Sequence, residues 1–200
     1  MKSLLSLLLA LLPLCASAKH AEKFTQIELQ TTMGTMRLAL YNATPEHRDN
    51  FKKLVKAGFY DGLLFHRVID GFVVQAGDPD SRNAAPGQLL GEGNAGYTLP
   101  AEIRPEILHK HGSLAAAREG DDVNPERRSS SSQFYIALDH FKHLDGKYTV
   151  FGEVTDGIEV AEEMQKVKGD ANNRPLEDVR ILRARVLRHK VKLESSRSSK

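Results

Sequence analysis

Two polar side chains stand inside short apolar runs of the segment FHRVIDGFVVQAGD, residues 65–78. Arg67 carries a permanently charged, planar guanidinium with several N–H donors, and Gln75 carries an amide that both donates and accepts hydrogen bonds. Such groups are suited to hydrogen-bond a bound molecule, although an Arg taken alone is more often a surface ion-pair partner. The segment therefore admits two interpretations, a hydrogen-bonding site or two solvated surface residues.

The common motifs of nucleophilic, nucleotide-dependent and metalloprotease-type enzymes are absent from the sequence. It contains no Gly-x-Ser-x-Gly elbow, no Walker loop, no Gly-x-Gly-x-x-Gly between a strand and a helix, and no His-Glu-x-x-His. The Gly-rich segment GEGNAG (91–96) is followed by no helical pattern and is interpreted as a loop. Any chemistry at Arg67 and Gln75 must therefore work without these devices.

Two histidine pairs, His109 with His111 and His140 with His143, are the only candidates for a metal site. Neither pair comes with carboxylates at a helical spacing that would set a coordination geometry. We therefore expect solvated loop histidines, no metal and no other cofactor. The formal net charge of +2 gives no electrostatic case for a nucleic-acid partner.

The segments that must position Arg67 and Gln75 are mostly short strands. Residues 24–40 alternate apolar and polar side chains around a Thr-Met-Gly break and predict a β-hairpin with Gly34 in the turn. Thr44 as N-cap and Pro45 predict the start of an amphipathic helix, with Gly58 at its end. Further predicted elements are strands within residues 63–69, 72–78, 111–118, 133–139, 147–157 and 176–191, and a second helix within 158–167.

The N-terminal segment differs from the rest of the chain. Residues 1–18 combine one Lys, a Leu-rich run and the small residues Ala16-Ser17-Ala18, which predicts a secretory signal peptide cleaved after Ala18. The run is too short for a comfortable membrane span, so no stable membrane anchor is expected. Cleavage would remove the single cysteine, Cys15, and with it any disulfide or thiol chemistry. We expect one domain over residues 19–190 and a disordered basic tail over residues 191–200.

Four segments occur in an order and near a spacing typical of one enzyme family. They are FHRVIDGFVVQAGD, GSLAAAR, SSQFYIAL and HLDGKYTVFGEV. On these segments, which span residues 25–187 together with their flanks, the sequence resembles the cyclophilins, the peptidyl-prolyl cis-trans isomerases. The resemblance implies a mainly β fold, a closed eight-stranded antiparallel β-barrel capped by two α-helices. The many short strands and two predicted helices agree with that fold.

The implied reaction breaks no covalent bond. An X-Pro bond rotates slowly because its amide has partial double-bond character, with a barrier near ~20 kcal/mol. An enzyme must favour the twisted amide, in which the prolyl nitrogen gains a usable lone pair, over both planar forms. By the resemblance, Arg67 donates to that nitrogen, Gln75 steers Arg67, and Phe72 completes the catalytic set.

The resemblance also implies an apolar pocket for the proline ring and a groove wall that pairs with the peptide. The substrate-binding positions are Val73, Ala117, Arg118, Gln133, Tyr135, His143, Leu144 and Tyr148. His143 stands where eukaryotic members often carry Trp, so weaker binding of cyclosporin-type ligands is expected. The expected partners are proline-containing polypeptides, and nothing in the sequence indicates an oligomer, so a monomer is expected.

The pairing of Arg67 with Gln75 depends on the register of one hairpin. The usual preference of Asp-Gly is for a two-residue turn. An Asp70-Gly71 turn of this kind would place Arg67 opposite Val74. A three-residue connection over 70–72 would place Arg67 opposite Gln75, since a one-residue shift moves every side chain to the other face. A working site requires the longer connection, which we therefore predict.

Two functional classes remain open at this point. The first is an exported isomerase of folding or secreted polypeptides, and the second is a non-catalytic proline-peptide binder or chaperone that uses the same groove. The presence of Arg67 favours the enzyme, because a degenerate binder would be expected to have lost it. The expected compartment is the periplasm of a Gram-negative bacterium, with the secretory-pathway lumen or the extracellular space as the alternative.

Overall fold

The computed structural model describes residues 24–187, which form a large antiparallel sheet, a two-stranded sheet and two α-helices. In chain order the elements are β1 (Thr25–Thr31), β2 (Gly34–Leu40), α1 (Pro45–Lys56), β3 (Phe65–Ile69), β4 (Val73–Ala76), a 3₁₀ helix (Pro79–Asn83), β5 (Thr98–Leu99), β6 (Ser113–Ala116), β7 (Ser129–Ser130), β8 (Phe134–Ala137), β9 (Val150–Asp156), α2 (Ile158–Met164) and β10 (Ile181–Val186). The predicted signal peptide and C-terminal tail lie outside the described residues. Within residues 24–187 no helix is both long and apolar enough to cross a membrane.

The eight-stranded sheet has the order β10-β1-β2-β9-β6-β8-β4-β3 and is antiparallel throughout. Its edge strands β10 and β3 form no ladder with each other, and one isolated bridge joins Leu64 to Arg180 beside them. The sheet is therefore curled and open, which corrects the prediction of a closed barrel. The segment facing β3 cannot extend as a strand, because Asn173, which accepts from the Val68 N–H, has a φ of 62° and Pro175 has no N–H.

Both predicted helices are present, and each packs its apolar face on the sheet. Phe51, Leu54 and Val55 of α1 are buried in the main core, and the helix contacts β9 and β10. Gly58 follows the helix with a φ of 67°, the left-handed conformation typical of a helix end. The short helix α2 packs against β2. Gly34 begins β2 rather than lying in the turn, and a β-carbon there would lie 2.7 Å from Val160 Cγ2 of α2.

The N-terminus of α1 is capped differently from the prediction. Thr44 occupies the N-cap position, but its side chain makes no capping hydrogen bond and its buried hydroxyl has no partner among the described residues. The Glu102 carboxylate accepts instead from the backbone N–H groups of Glu46 (3.2 Å) and His47 (2.9 Å). A carboxylate at this position also complements the positive end of the helix dipole. The cap therefore comes from the long connection between β4 and β6.

The sheet carries apolar side chains on both faces, and this arrangement creates the site. Alternation along β4, β6 and β8 sends Val74, Leu114 and Ile136 into the core beneath the helices. The residues next to them, Val73, Ala115 and Tyr135, form a second cluster with Val150, each at most 5% exposed. The strand registers place one row of side chains across five neighbouring strands on this second face: Arg67, Gln75, Tyr135, Ala115 and Val150.

Candidate functional site

The β3–β4 hairpin has the longer of the two predicted connections. Ile69 pairs with Val73, and Arg67 lies directly opposite Gln75. The Phe72 N–H donates to the Ile69 carbonyl at 3.0 Å, and Gly71 has a φ of 64°. A type I′ turn would also need a positive φ at Asp70, which is absent here. The predicted register is confirmed, and it brings the guanidinium and the amide to one face.

A directed chain of hydrogen bonds holds Arg67. The Gln133 side-chain N–H₂ donates to the carbonyls of Gly91 and Gly93, both at 2.7 Å, so its oxygen is left to accept. That oxygen accepts from Gln75 Nε2 at 3.0 Å, and Gln75 Oε1 accepts from Arg67 Nη1 at 3.1 Å. Because backbone carbonyls can only accept, the two glycines set the orientation of both amides. The guanidinium is thereby held at a defined place on the sheet surface.

Arg67 and Gln75 border a groove of about 480 Å³. The predicted site residues that line it are Arg67, Phe72, Val73, Gln75, Ala117, Arg118, Tyr135, Leu144 and Tyr148. Two predicted residues lie outside this lining. Gln133 is buried behind Gln75, and the exposed His143 stacks on the Phe72 ring at a centroid distance of 6.1 Å and an interplanar angle of 19°.

Packing behind the groove keeps its apolar walls in place. The Phe72 ring meets Phe141 edge-on at 4.8 Å, and the Tyr148 ring is nearly perpendicular to Tyr135 at 6.0 Å. The Arg118 guanidinium lies 4.5 Å from the centre of the Tyr148 ring, a cation–π contact that helps to hold the ring in place. Walls of this kind can hold a small apolar ring without offering it competing hydrogen bonds.

His109 lies directly beneath the groove, which corrects the prediction that it is a solvated loop residue. It is 0% exposed, and its ring nitrogens lie 2.9 Å from Asp145 Oδ1 and 2.9 Å from the Tyr135 hydroxyl. Burial lowers the pKa of His109, although the Asp145 carboxylate opposes that effect. His111 and His140, by contrast, are partly exposed as expected.

Several lining residues were not predicted. Two irregular segments complete the lining, residues 88–92 and residues 170–174 with Asp170, Asn172 and Arg174. Arg174 joins the two segments, because its Nη1 donates to the carbonyls of Ala85 (2.8 Å) and Gln88 (2.9 Å). Both segments lie in irregular chain, where residue type and periodicity give no signal of what they face.

His66 is the remaining buried histidine of the site, directly before Arg67. It is 3% exposed, and burial lowers its pKa to about 4. His66 is therefore neutral at physiological pH and leaves Arg67 as the cation at this point of the groove. Among residues 24–187, no group of three or more His, Cys, Asp or Glu side chains is arranged to hold a metal ion.

Comparison with known proteins gives the family to which this chain belongs. A family model described as cyclophilin type peptidyl-prolyl cis-trans isomerase/CLD matches residues 26–186. A Gibberella zeae protein named peptidyl-prolyl cis-trans isomerase-like 1 is 38% identical over 165 residues, which cover 82% of this chain and 95% of that protein.

Two solved structures of a Cryptosporidium parvum cyclophilin type peptidyl-prolyl cis-trans isomerase have the same fold. One aligns with a TM-score of 0.74 and 26% identity, covering 83% of this chain and 99% of that one. The other, determined in the presence of the dipeptide Ala-Pro, aligns with a TM-score of 0.69 and 25% identity, covering 82% and 99%. With the family model matching nearly every described residue, the chain belongs to the cyclophilin-type peptidyl-prolyl cis-trans isomerases.

Proposed function

We propose that this chain accelerates rotation about X-Pro bonds with Arg67 as the catalytic hydrogen-bond donor. The observation that carries the proposal is the Arg67–Gln75–Gln133 chain of hydrogen bonds, which holds a guanidinium beside the apolar wall of the groove. The related isomerase whose structure was determined in the presence of Ala-Pro supports a proline-containing peptide as a ligand of such a groove.

The guanidinium acts on the twisted amide more strongly than on the planar one. In the planar amide the prolyl nitrogen shares its lone pair with the carbonyl and is a poor acceptor. When the bond twists, that lone pair becomes available, and an N–H of Arg67 can donate to it. Because the bond strengthens only in the transition state, it lowers the barrier instead of merely tightening binding.

The remaining groove residues hold the two sides of the rotating bond. Val73, Tyr135 and Leu144 surround the space for the proline ring, which stays fixed while the preceding carbonyl turns. The Ala117 N–H already donates to the Gln133 carbonyl (3.0 Å), and the Ala117 carbonyl accepts from the Ser130 N–H (2.8 Å). In the described part of the chain, the backbone of Arg118 makes no hydrogen bond to another backbone group, so it supplies the edge that pairs with an extended peptide.

The test is an isomerisation assay on a short X-Pro peptide by NMR exchange. We expect Arg67→Ala to lower kcat/KM by about 100-fold or more, the usual effect of removing a transition-state donor. Arg183→Ala, at an exposed arginine of β10, is the matched control and should leave turnover unchanged. Equal rates for the wild type and Arg67→Ala would overturn the mechanism. A wild type that binds the peptide without turning it over would support the non-catalytic binder.

A further inference from the structure

His109 does not line the proline groove, but it contacts two residues that do, Tyr135 and Tyr148. Its ring is nearly parallel to that of Tyr135, at an interplanar angle of 7°, and nearly perpendicular to that of Tyr148, at 87°. The Nδ1 atom of His109 is hydrogen-bonded to Asp145, the residue that follows the groove residue Leu144. One buried imidazole thus connects β8 with the turn that carries Leu144.

The direction of these hydrogen bonds follows from the chemistry of the three groups. Asp145 Oδ1 accepts from the His109 backbone N–H at 2.7 Å. Burial raises the pKa of Asp145, but its hydrogen bonds with His109 lower it by more, so the pKa lies below its usual value. An ionised carboxylate only accepts, so His109 Nδ1 carries the hydrogen. In the neutral ring Nε2 is then an acceptor, and the Tyr135 hydroxyl donates to it at 2.9 Å.

We propose that His109 is a positioning residue for the proline pocket. It accepts a hydrogen bond from the Tyr135 hydroxyl and, through its hydrogen bond to Asp145, sets the distance between the Tyr135 and Leu144 walls. The proposal rests on the proposed function, because it assigns the pocket to proline. Tyr135 lies in the cross-strand row between Gln75 and Ala115, so a shift of its ring changes the pocket next to the catalytic donor.

Loss of the acceptor has a larger expected effect than loss of the hydroxyl. If His109 cannot accept, the hydroxyl of Tyr135, a residue that is 5% exposed, has no partner unless the ring turns toward the groove. A buried polar group left unpaired costs more than a pair removed on both sides. A Tyr135→Phe change should therefore rescue a His109 variant that has lost its acceptor.

The experiment compares His109→Asn, Tyr135→Phe and their double variant in the full-length chain. Asn keeps a donor at the Nδ1 position for Asp145 but is too short to reach Tyr135. We expect His109→Asn to weaken Ala-Pro dipeptide binding, measured by NMR titration, by about fivefold, the size of one hydrogen bond. In the Tyr135→Phe background the same His109→Asn change should alter the affinity by less than about twofold, because the hydroxyl that needs the acceptor is gone.

A matched variant and a spectroscopic measurement complete the test. His109→Gln keeps an acceptor at the Nε2 position but loses the Nδ1–H that donates to Asp145, so it should weaken dipeptide binding less than His109→Asn, by no more than about threefold. Nitrogen-15 NMR of the wild type should show His109 protonated at Nδ1 and unprotonated at Nε2. Equal weakening by His109→Asn with and without the Tyr135→Phe change, or the opposite tautomer, would overturn the proposal. Because dipeptide affinity does not require turnover, this result is independent of the Arg67→Ala rate that tests the proposed function.

Discussion

Two regions of this molecule contain the same histidine–carboxylate unit. In each, one carboxylate oxygen accepts both the backbone N–H and the Nδ1–H of a single histidine. Glu102 Oε2 lies 2.9 Å and 2.7 Å from these groups of His47, and Asp145 Oδ1 lies 2.7 Å and 2.9 Å from those of His109. Both histidines are buried, and burial lowers the pKa of each.

The two units differ in what the far ring nitrogen meets. His47 Nε2 is buried without a hydrogen-bond partner among the described residues, and the ring lies 5.9 Å from Phe151. His109 Nε2 meets the hydroxyl of Tyr135, a residue of the groove. In both units the carboxylate fixes the orientation of a buried histidine. The contact of the far nitrogen differs, so His47 stabilises the core whereas His109 positions a residue of the groove.

Acid should break both units together, with the largest effect on stability. Burial lowers the pKa of both histidines, so they take up protons on unfolding, and their contribution to stability is complete above pH 6.5 and falls as the pH decreases below it. His66 acts in the same direction, and its pKa of about 4 alone corresponds to about 3 kcal/mol of unfolding free energy lost. Urea unfolding at a series of pH values measures this loss.

The acid experiment can be tested at a single buried histidine. His66→Gln should make the pH dependence of the unfolding free energy shallower, because Gln takes up no proton on unfolding. The lowered pKa values of Asp49 and Asp145 act in a separate window below pH 3.8. An unfolding free energy that stays constant between pH 6.5 and 4 would contradict the neutral state of these histidines.

Removing the charge from each carboxylate should separate the two units. Glu102 accepts three N–H donors at the start of α1, so Glu102→Gln should lower the unfolding free energy by about 2 kcal/mol and leave turnover unchanged. Asp145→Asn should cost only about 1 kcal/mol of stability, because the Asp145 side chain is more exposed than that of Glu102 (16% against 8%).

The same Asp145→Asn variant should affect the site, since a neutral amide no longer selects the Nδ1–H form of His109. We expect its KM for an X-Pro peptide to rise about threefold, within the range of one hydrogen bond. Urea unfolding and isomerisation assays on both variants make the comparison. The opposite pattern, with turnover lost in Glu102→Gln and kept in Asp145→Asn, would show that the units have been assigned to the wrong roles.

The smallest expected effect concerns Thr44, whose capping role Glu102 has taken. Thr44→Val removes a buried hydroxyl that makes no hydrogen bond, so the unfolding free energy should stay the same or rise by less than about 1 kcal/mol. Thr31→Val is the matched control, because Thr31 Oγ1 donates to Gly34 O (2.8 Å) and accepts from Met33 N (3.1 Å). That variant should lose about 1 kcal/mol. A comparable loss in Thr44→Val, measured by urea unfolding, would restore Thr44 as the cap.

Much of the fold could be predicted from the sequence because the signals are local, and the groove residues could be predicted from the resemblance to the cyclophilins. Alternating side chains predicted the hairpin of β1 and β2, and Pro45 and Gly58 marked the ends of α1. The requirement that Arg67 face Gln75 selected the register of the β3–β4 hairpin, against the usual preference of Asp70-Gly71. The hairpin and helix predictions use residues within a few positions of each other, where turn chemistry and side-chain periodicity act, whereas the register of the β3–β4 hairpin followed from the resemblance to the cyclophilins.

Only the tertiary structure decided the long-range partners. Glu102 replaces Thr44 as the cap of α1 from 55 residues beyond His47, and His109 meets Tyr135 and Asp145 across 26 and 36 residues. The left-handed conformation of Asn173 leaves the sheet open. A polar residue in a loop has the same sequence appearance whether water or a buried carboxylate satisfies it, because its partner is chosen by the packing of distant segments. For that reason the sequence identified the catalytic arginine of the proposed mechanism, and the folded chain identified the histidine beneath its pocket.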